Sequence, residues 1–205
     1  EKINIPGGVY EGAVRGRFGN RKPPAAAYAG DSPVLSHTED GTFTGGMFWD
    51  GRATGERLGD PLAEQAMGPF LNPLEQNMPD KKEIIMRVKE SSYAALFEEV
   101  WGPGSLDPEQ DVDAAYDKIG LSIASYERSA EVNPFNSKFD DFWRKAKAAG
   151  LNVETIGEEN LKSFANMGLD DKELRGLALF NTRGLCSKCH LLSSEGGKPP
   201  VFTDY

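Results

Sequence analysis

Cys186-Ser187-Lys188-Cys189-His190 is the stretch whose reading decides the fold. It holds both cysteines and one of the two histidines in the chain. Two thiols at C-x-x-C spacing can form thioether bonds to the two vinyl groups of one haem, and the histidine that follows becomes the proximal ligand of the iron. A zinc site would need about two more soft ligands, and only His37 remains. A thioredoxin-like redox pair would be expected beside a βαβ pattern, and none is visible. Covalently bound haem c is therefore the expectation for Cys186, Cys189 and His190, with His190 on the iron.

Working upstream, Asp170 and Glu173 form an Asp-x-x-Glu start for a helix running to about Arg183, with Gly184 at its end. A helix feeding directly into C-x-x-C-H is how a cytochrome c domain begins. Only fifteen residues follow His190, so the segment from 166 to 205 is expected to be the start of such a domain. Further upstream the pattern stays helical. Asn136 or Ser137 caps a helix through Ala149, and Glu154 to Ala165 is a weaker candidate. Between Asp111 and about Ala130, apolar residues recur at three- and four-residue steps and form one stripe. Helices are also expected from Ser92 to Trp101, from Asp80 to Glu90, and from Asp60-Pro61 to a stop at Gly68-Pro69. Residues 1–60 are rich in Gly and Pro and predict turns and long loops, with a short hairpin around Asp40-Gly41. Their large apolar residues, including Phe43, Phe48 and Trp49, exclude a solvated tail. The fold expected is all-α with long loops, built of cytochrome c-like haem domains.

The chain has 205 residues, 39% hydrophobic and 27% charged, with a net charge of −9. That acidity argues against nucleic acid, which rewards basic faces, and no apolar run approaches the ~20 residues of a membrane span. The expectation is a soluble protein. It opens at Glu1 without an initiator Met or signal peptide, as a mature, processed or fragmentary chain would. Attachment of haem to C-x-x-C-H normally follows export, so the expected location is the periplasm.

Phe48-Trp49-Asp50-Gly51-Arg52-Ala53, Gln65-Ala66 ahead of Gly68-Pro69, and Asn72-Pro73-Leu74-Glu75 follow one another. Phe135 to Asp140, Gly176 to Phe180 ahead of the haem motif, and Pro200-x-Phe202-Thr203-Asp204 come after. In this order the set resembles the bacterial di-haem cytochrome c peroxidases and their MauG-type relatives, and covers about Arg21 to Tyr205. The resemblance implies two haem c groups, one of them attached upstream of this chain. It implies a division into residues 1–165, the remainder of the peroxidatic haem domain with inter-domain helices, and 166–205, an incomplete electron-transfer domain. The chain would then be an internal portion of a longer protein, or one completed by a second polypeptide.

The resemblance also implies roles. Trp49 relays electrons between the two haems. Gln65 and Glu75 lie on the distal side of the peroxidatic haem, where the amide orients peroxide and the carboxylate shuttles its proton. Asp50 and Arg52 tie the Trp49 loop through a charge-assisted hydrogen bond. His37 has two readings, a surface loop histidine or a distal ligand of the peroxidatic haem. The second axial ligand of the His190 haem, a Met in peroxidases and a Tyr in the tryptophylquinone-forming relative, lies beyond Tyr205, and Met167 belongs to the core. Relatives bind calcium between the haem domains through an Asn near the loop that here reads Asn20 to Pro24, and a lysine close to the expected position leaves calcium open in this chain. Two departures stand out: Gln76 follows Glu75 where the family often has Met, and Gly55 to Pro61 lengthens the Trp49–Gln65 spacing. The implied reaction is reduction of hydrogen peroxide with electrons from a small cytochrome c or cupredoxin, in a protein that forms homodimers. The alternatives are a MauG-like oxidase that modifies another protein and a pure electron-transfer cytochrome.

Overall fold

The computed structural model describes residues 8–39, 41–193 and 197–203. Asp40 of the expected hairpin, and Asp204 and Tyr205, lie outside the described residues. The chain divides into two units, 1–132 and 133–205. The division falls upstream of residue 165 because the helix that Ser137 opens shares its core with the later segment.

In the first unit, a two-stranded antiparallel ribbon, β1 (Ser36–His37) and β2 (Phe43–Thr44), precedes four helices. These are α1 (Pro61–Leu71), α2 (Lys81–Lys89), α3 (Ala94–Trp101) and α4 (Val112–Glu127). The starts of α1, α2 and α4 follow from sequence. Asp60, Asp80 and Asp111 each accept a hydrogen bond from a first-turn N–H that has no partner within the helix. Asp60 does more, receiving Arg128 Nη1 and Nη2 at 2.6 and 2.8 Å. That guanidinium holds the Asp60 carboxyl below the usual range, helped by the N–H donors of Ala63 and Leu62.

The unit's core is the α1–α4 contact, extended by α2 and α3. Met67, Ile85, Phe97, Leu106, Tyr116 and Ile119 are buried together. Gly120 lets the two helices approach, since a Cβ there would lie 2.7 Å from Met67 Cγ and 2.9 Å from the Ala63 carbonyl oxygen. Tyr116 donates its hydroxyl to the Met67 carbonyl at 2.6 Å, and burial pushes its pKa up to about 12.

One boundary differs from expectation. Helix α1 does not stop at Gly68-Pro69 but passes through Pro69 to Leu71. Proline there removes the bond to the Gln65 carbonyl and crowds that carbonyl with its ring. The chain beyond returns to the helix end, with Gln76 N–H on the Pro69 carbonyl (3.1 Å) and Met78 N–H on that of Phe70 (2.8 Å). The Gly55 to Pro61 insertion is folded around one carboxylate. Glu64 accepts from the N–H groups of Gly55, Arg57 and Leu58 at 2.9–3.1 Å.

The second unit pairs α5 (Lys138–Ala148) with α6 (Asp171–Asn181). Both open with complete capping boxes, Ser137 with Asp140 and Asp170 with Glu173. Phe142, Trp143, Phe164, Leu174 and Ala178 form the core, with Met167 packed against it as expected. The weak helix expected from Glu154 to Ala165 is instead two 3₁₀ turns, Val153–Thr155 and Leu161–Phe164. Asn160 explains the break: its side chain accepts from Gly157 N–H at 3.0 Å and donates to the Thr155 carbonyl at 2.8 Å. Such local bonds offer the backbone an alternative to a helix.

Candidate active site and haem attachment turn

In the first unit a cleft of about 390 Å³ is lined by Trp49, Gln65 and Glu75 together. Three elements build it: the Trp49 loop, one face of α1 carrying Gln65 and Pro69, and the 72–76 loop. A segment from Tyr10 to Pro24 closes it and includes Asn20, Arg21 and Lys22 of the expected calcium loop. His37 does not line this cleft. It sits exposed on β1 with its ring 4.6 Å from that of Phe43.

The Trp49 loop is a tight reversal closed by the Met47–Ala53 bridge, whose two N–H···O bonds are 2.9 and 3.3 Å. Phe48 adopts φ +66 and Gly51 φ +68, the left-handed region that a non-glycine residue enters at a cost. Phe48 is held there from two sides. Its ring packs over Gly68, where an added Cβ would lie 3.1 Å from Cζ, and the Arg52 guanidinium sits 3.8 Å from its centroid. Asp50 binds Arg52 at 2.8 Å and, from further away in sequence, Arg21 at 2.7 Å. The Arg21 bond first, then that of Arg52, holds the Asp50 carboxyl down at about 2. Trp49 is 73% exposed, and its indole N–H donates to the Lys22 carbonyl at 3.1 Å.

Glu75 is held differently. Its N–H donates to the Asn72 carbonyl at 3.0 Å, and its carbonyl accepts from Ala13 N–H at 2.7 Å. Its carboxylate accepts from Asn72 Nδ2 at 2.6 Å. Gly12 permits the close passage of the 10–19 strap, because a Cβ there would lie 2.2 Å from the Leu74 carbonyl oxygen and 2.6 Å from that of Glu75. Arg17 of the strap donates to the Pro73 carbonyl at 3.3 Å and the Asn77 side chain at 3.2 Å. A carboxylate fixed in this way at a cleft wall, with an amide on the adjacent helix, can take a proton from one atom of a small bound molecule and return it to another.

In the second unit the haem motif is a 3₁₀ turn over Cys186–Lys188. His190 N–H donates to the Cys186 carbonyl at 2.8 Å. Both thiols are free and exposed. His190 Nδ1 lies 3.0 Å from the Phe202 carbonyl oxygen. As a donor to that carbonyl, Nδ1 carries the proton and leaves Nε2 a lone pair for a metal. Phe202, at φ +60, is fixed by Phe139 and Phe180, with centroids 4.9 and 6.1 Å away. Two accessible thiols and an oriented imidazole fit covalent haem c.

Several participants were not foreseen, among them Arg21 as a partner of Asp50, Gly12 beneath the Glu75 loop, the Phe202 and Lys22 carbonyls, and Asn72 as a partner of Glu75. Only the last has a local signal, since Asn-Pro favours turn initiation.

A mostly helical fold with a C-x-x-C-H turn of this geometry fits the class of c-type cytochromes. The family described as di-haem cytochrome c peroxidase matches residues 5–148, and the chain belongs to it. The methylamine utilization protein MauG of Paracoccus denitrificans is 31% identical over 189 residues, which span 91% of this chain and 41% of that protein. The crystal structure of the diheme peroxidase BthA from Burkholderia thailandensis superposes with a TM-score of 0.70 at 27% identity, over 97% of this chain and 42% of that one. A single-residue variant of BthA gives 0.63. The chain thus spans about two fifths of the length of these relatives. The family's cofactor is haem c, and no helix among the described residues is long and apolar enough to cross a membrane.

Proposed function

We propose that the protein to which this chain contributes reduces hydrogen peroxide to water with electrons from a small redox protein, and that Glu75 and Gln65 are its distal acid–base pair. The observation that carries this reading is their convergence with Trp49 on one cleft. Haem, when bound, would supply electrons and the centre for O–O cleavage. Heterolysis of H–O–O–H requires a proton to move from the oxygen that stays to the oxygen that leaves as water. The Glu75 carboxylate takes and returns that proton, and so ends unchanged. Two further protons from solvent and two electrons complete the second water. The Gln65 amide orients peroxide, and the Trp49 indole is the electron relay. Cys186 and Cys189 would hold by thioether bonds the haem that accepts electrons, with His190 available as its ligand, and such attachment would follow export to the periplasm.

Replacing Glu75 with Gln in the full-length, haem-loaded protein removes the proton carrier while keeping its shape. Peroxide turnover with a reduced donor should fall by about 10²–10⁴-fold, the scale of lost acid–base catalysis. Turnover equal to the parent's rejects the assignment.

A second reading, oxidation of another protein's side chain, draws on the 31% identity to MauG and on the exposure of Trp49. It predicts peroxide-dependent modification of a bound partner protein that is lost in Trp49→Phe. Mass spectrometry of the partner decides between the two.

A further inference from the structure

Glu75 receives a hydrogen bond from a residue that has no part in proton transfer itself. Asn72 makes four bonds within its own loop. Its carbonyl accepts from the N–H groups of Glu75 and Asn77, at 3.0 and 2.9 Å. Its side-chain Oδ1 accepts from Leu74 N–H at 3.0 Å, and Nδ2 donates to Glu75 Oε1 at 2.6 Å. The last two bonds together determine which way the amide faces. An N–H partner demands the oxygen, a carboxylate demands the nitrogen, and the flipped amide would satisfy neither. The loop therefore orients Asn72, and Asn72 orients the carboxylate.

We propose that Asn72 is a positioning residue that holds the Glu75 carboxylate in its working rotamer at the cleft wall. This rests on the reading of Glu75 as the proton carrier. A glutamate side chain has three rotatable bonds and ordinarily loses much freedom when fixed. The backbone clamp of Ala13 and Asn72 on Glu75 fixes the Cα but not the carboxylate. The Asn72 amide is the group that reaches it, and a charge-assisted bond of this length is short enough to select one rotamer.

The test separates positioning from a purely structural role through two substitutions in the full-length, haem-loaded protein. Asn72→Asp has the same shape and keeps the acceptor for Leu74 N–H, but replaces the donor with a carboxylate that repels Glu75. Asn72→Ala removes both bonds. Positioning predicts that Asp is at least as impaired as Ala. The expected fall in kcat is about ten- to a hundredfold, the scale of a reacting group misplaced by about 1 Å, with KM for peroxide near the parent value. A role confined to the turn predicts the opposite order, with Asp close to the parent and Ala impaired. Crystal structures of the variants provide a readout independent of turnover: in Asn72→Asp the carboxylate should occupy a different rotamer. Parent-level kcat in Asn72→Asp, or an unmoved Glu75 carboxylate in its crystal structure, overturns the proposal. If Asn72→Asp does not fold, Asn72→Ser serves, since its hydroxyl can still accept from Leu74 N–H but is too short to reach Glu75. Should Glu75→Gln retain full turnover, the reading of Glu75 as the proton carrier fails, and the crystal structures still decide whether Asn72 places the carboxylate.

Discussion

The two loops that meet at the cleft are held by different forces. The Glu75 loop is a backbone structure. Its peptide groups bond to one another, to the end of α1 and to the 10–19 strap, and Gly12 lets the strap lie against it. The Trp49 loop adds charge to its backbone bridge and to the packing of Phe48: one carboxylate between two guanidiniums, all three substantially exposed, with the indole on a single carbonyl. Backbone networks are indifferent to salt and mild acid, whereas exposed ion pairs are screened and titrate. A proton carrier needs a fixed position, because proton transfer falls away steeply outside hydrogen-bond reach. An electron relay tolerates looser placement. The difference between the loops matches the demands of their proposed roles.

The largest effect is expected at Gly12. A methyl group there would meet two carbonyl oxygens of the opposing backbone, at 2.2 and 2.6 Å, neither of which can swing away. Gly12→Ala should destabilise by about 2–3 kcal/mol, as overpacking of a tight contact does, and should displace Glu75. A lowered thermal midpoint together with reduced peroxide turnover is the expected result. An unchanged midpoint would mean that the strap is not a fixed part of the site.

Much of the frame around these loops can be read from the chain, because its determinants are local. Asp60, Asp80, Asp111, Ser137 and Asp170 announce five helices, and each does cap one. The C-x-x-C-H turn is equally local. The site itself is only half legible. The motifs that carry Trp49, Gln65 and Glu75 are recognisable, but what holds them lies far off in sequence. Gly12 meets Glu75 across more than sixty residues, and Arg21 meets Asp50 across twenty-nine. Spacing carries no trace of such pairs. Pro69 misleads for the reverse reason: a strong local stop is overridden by a loop that returns to the helix end.

A smaller effect is expected where the cleft's supporting helix begins. Asp60 caps α1 and pairs with Arg128, which also donates to the Gly30 carbonyl at 2.9 Å. Asp60→Ala removes the cap and leaves the guanidinium without its carboxylate, at about 1–2 kcal/mol. Asp60→Asn keeps an acceptor for the Leu62 and Ala63 N–H groups and should recover most of it. Chemical denaturation of the three proteins tests this, and equal losses for Ala and Asn would assign the stability to the ion pair instead of the cap.

The mildest perturbation acts on the Trp49 loop alone. Asp50 has its pKa depressed to about 2 from an ordinary 3.8, chiefly by the Arg21 bond. A carboxyl depressed on folding contributes stability that is present above the ordinary value and lost as pH falls from there through the folded one. The loop should therefore keep its geometry down to about pH 4 and release it between about 4 and 2. The indole N–H resonance of Trp49, assigned through Trp49→Phe, reports this directly, because release frees it from the Lys22 carbonyl. About 1 M salt at neutral pH, where the screening length is ~3 Å, should move the same resonance part of the way, and Asp50→Asn should move it without acid or salt. The Glu75 loop should not respond to salt, since no ion pair among the described residues holds it. If the indole signal is equally insensitive to acid, salt and Asp50→Asn, the positive-φ turn at Phe48 and its packing on Gly68 hold Trp49 unaided, and the two loops differ less than their contacts imply.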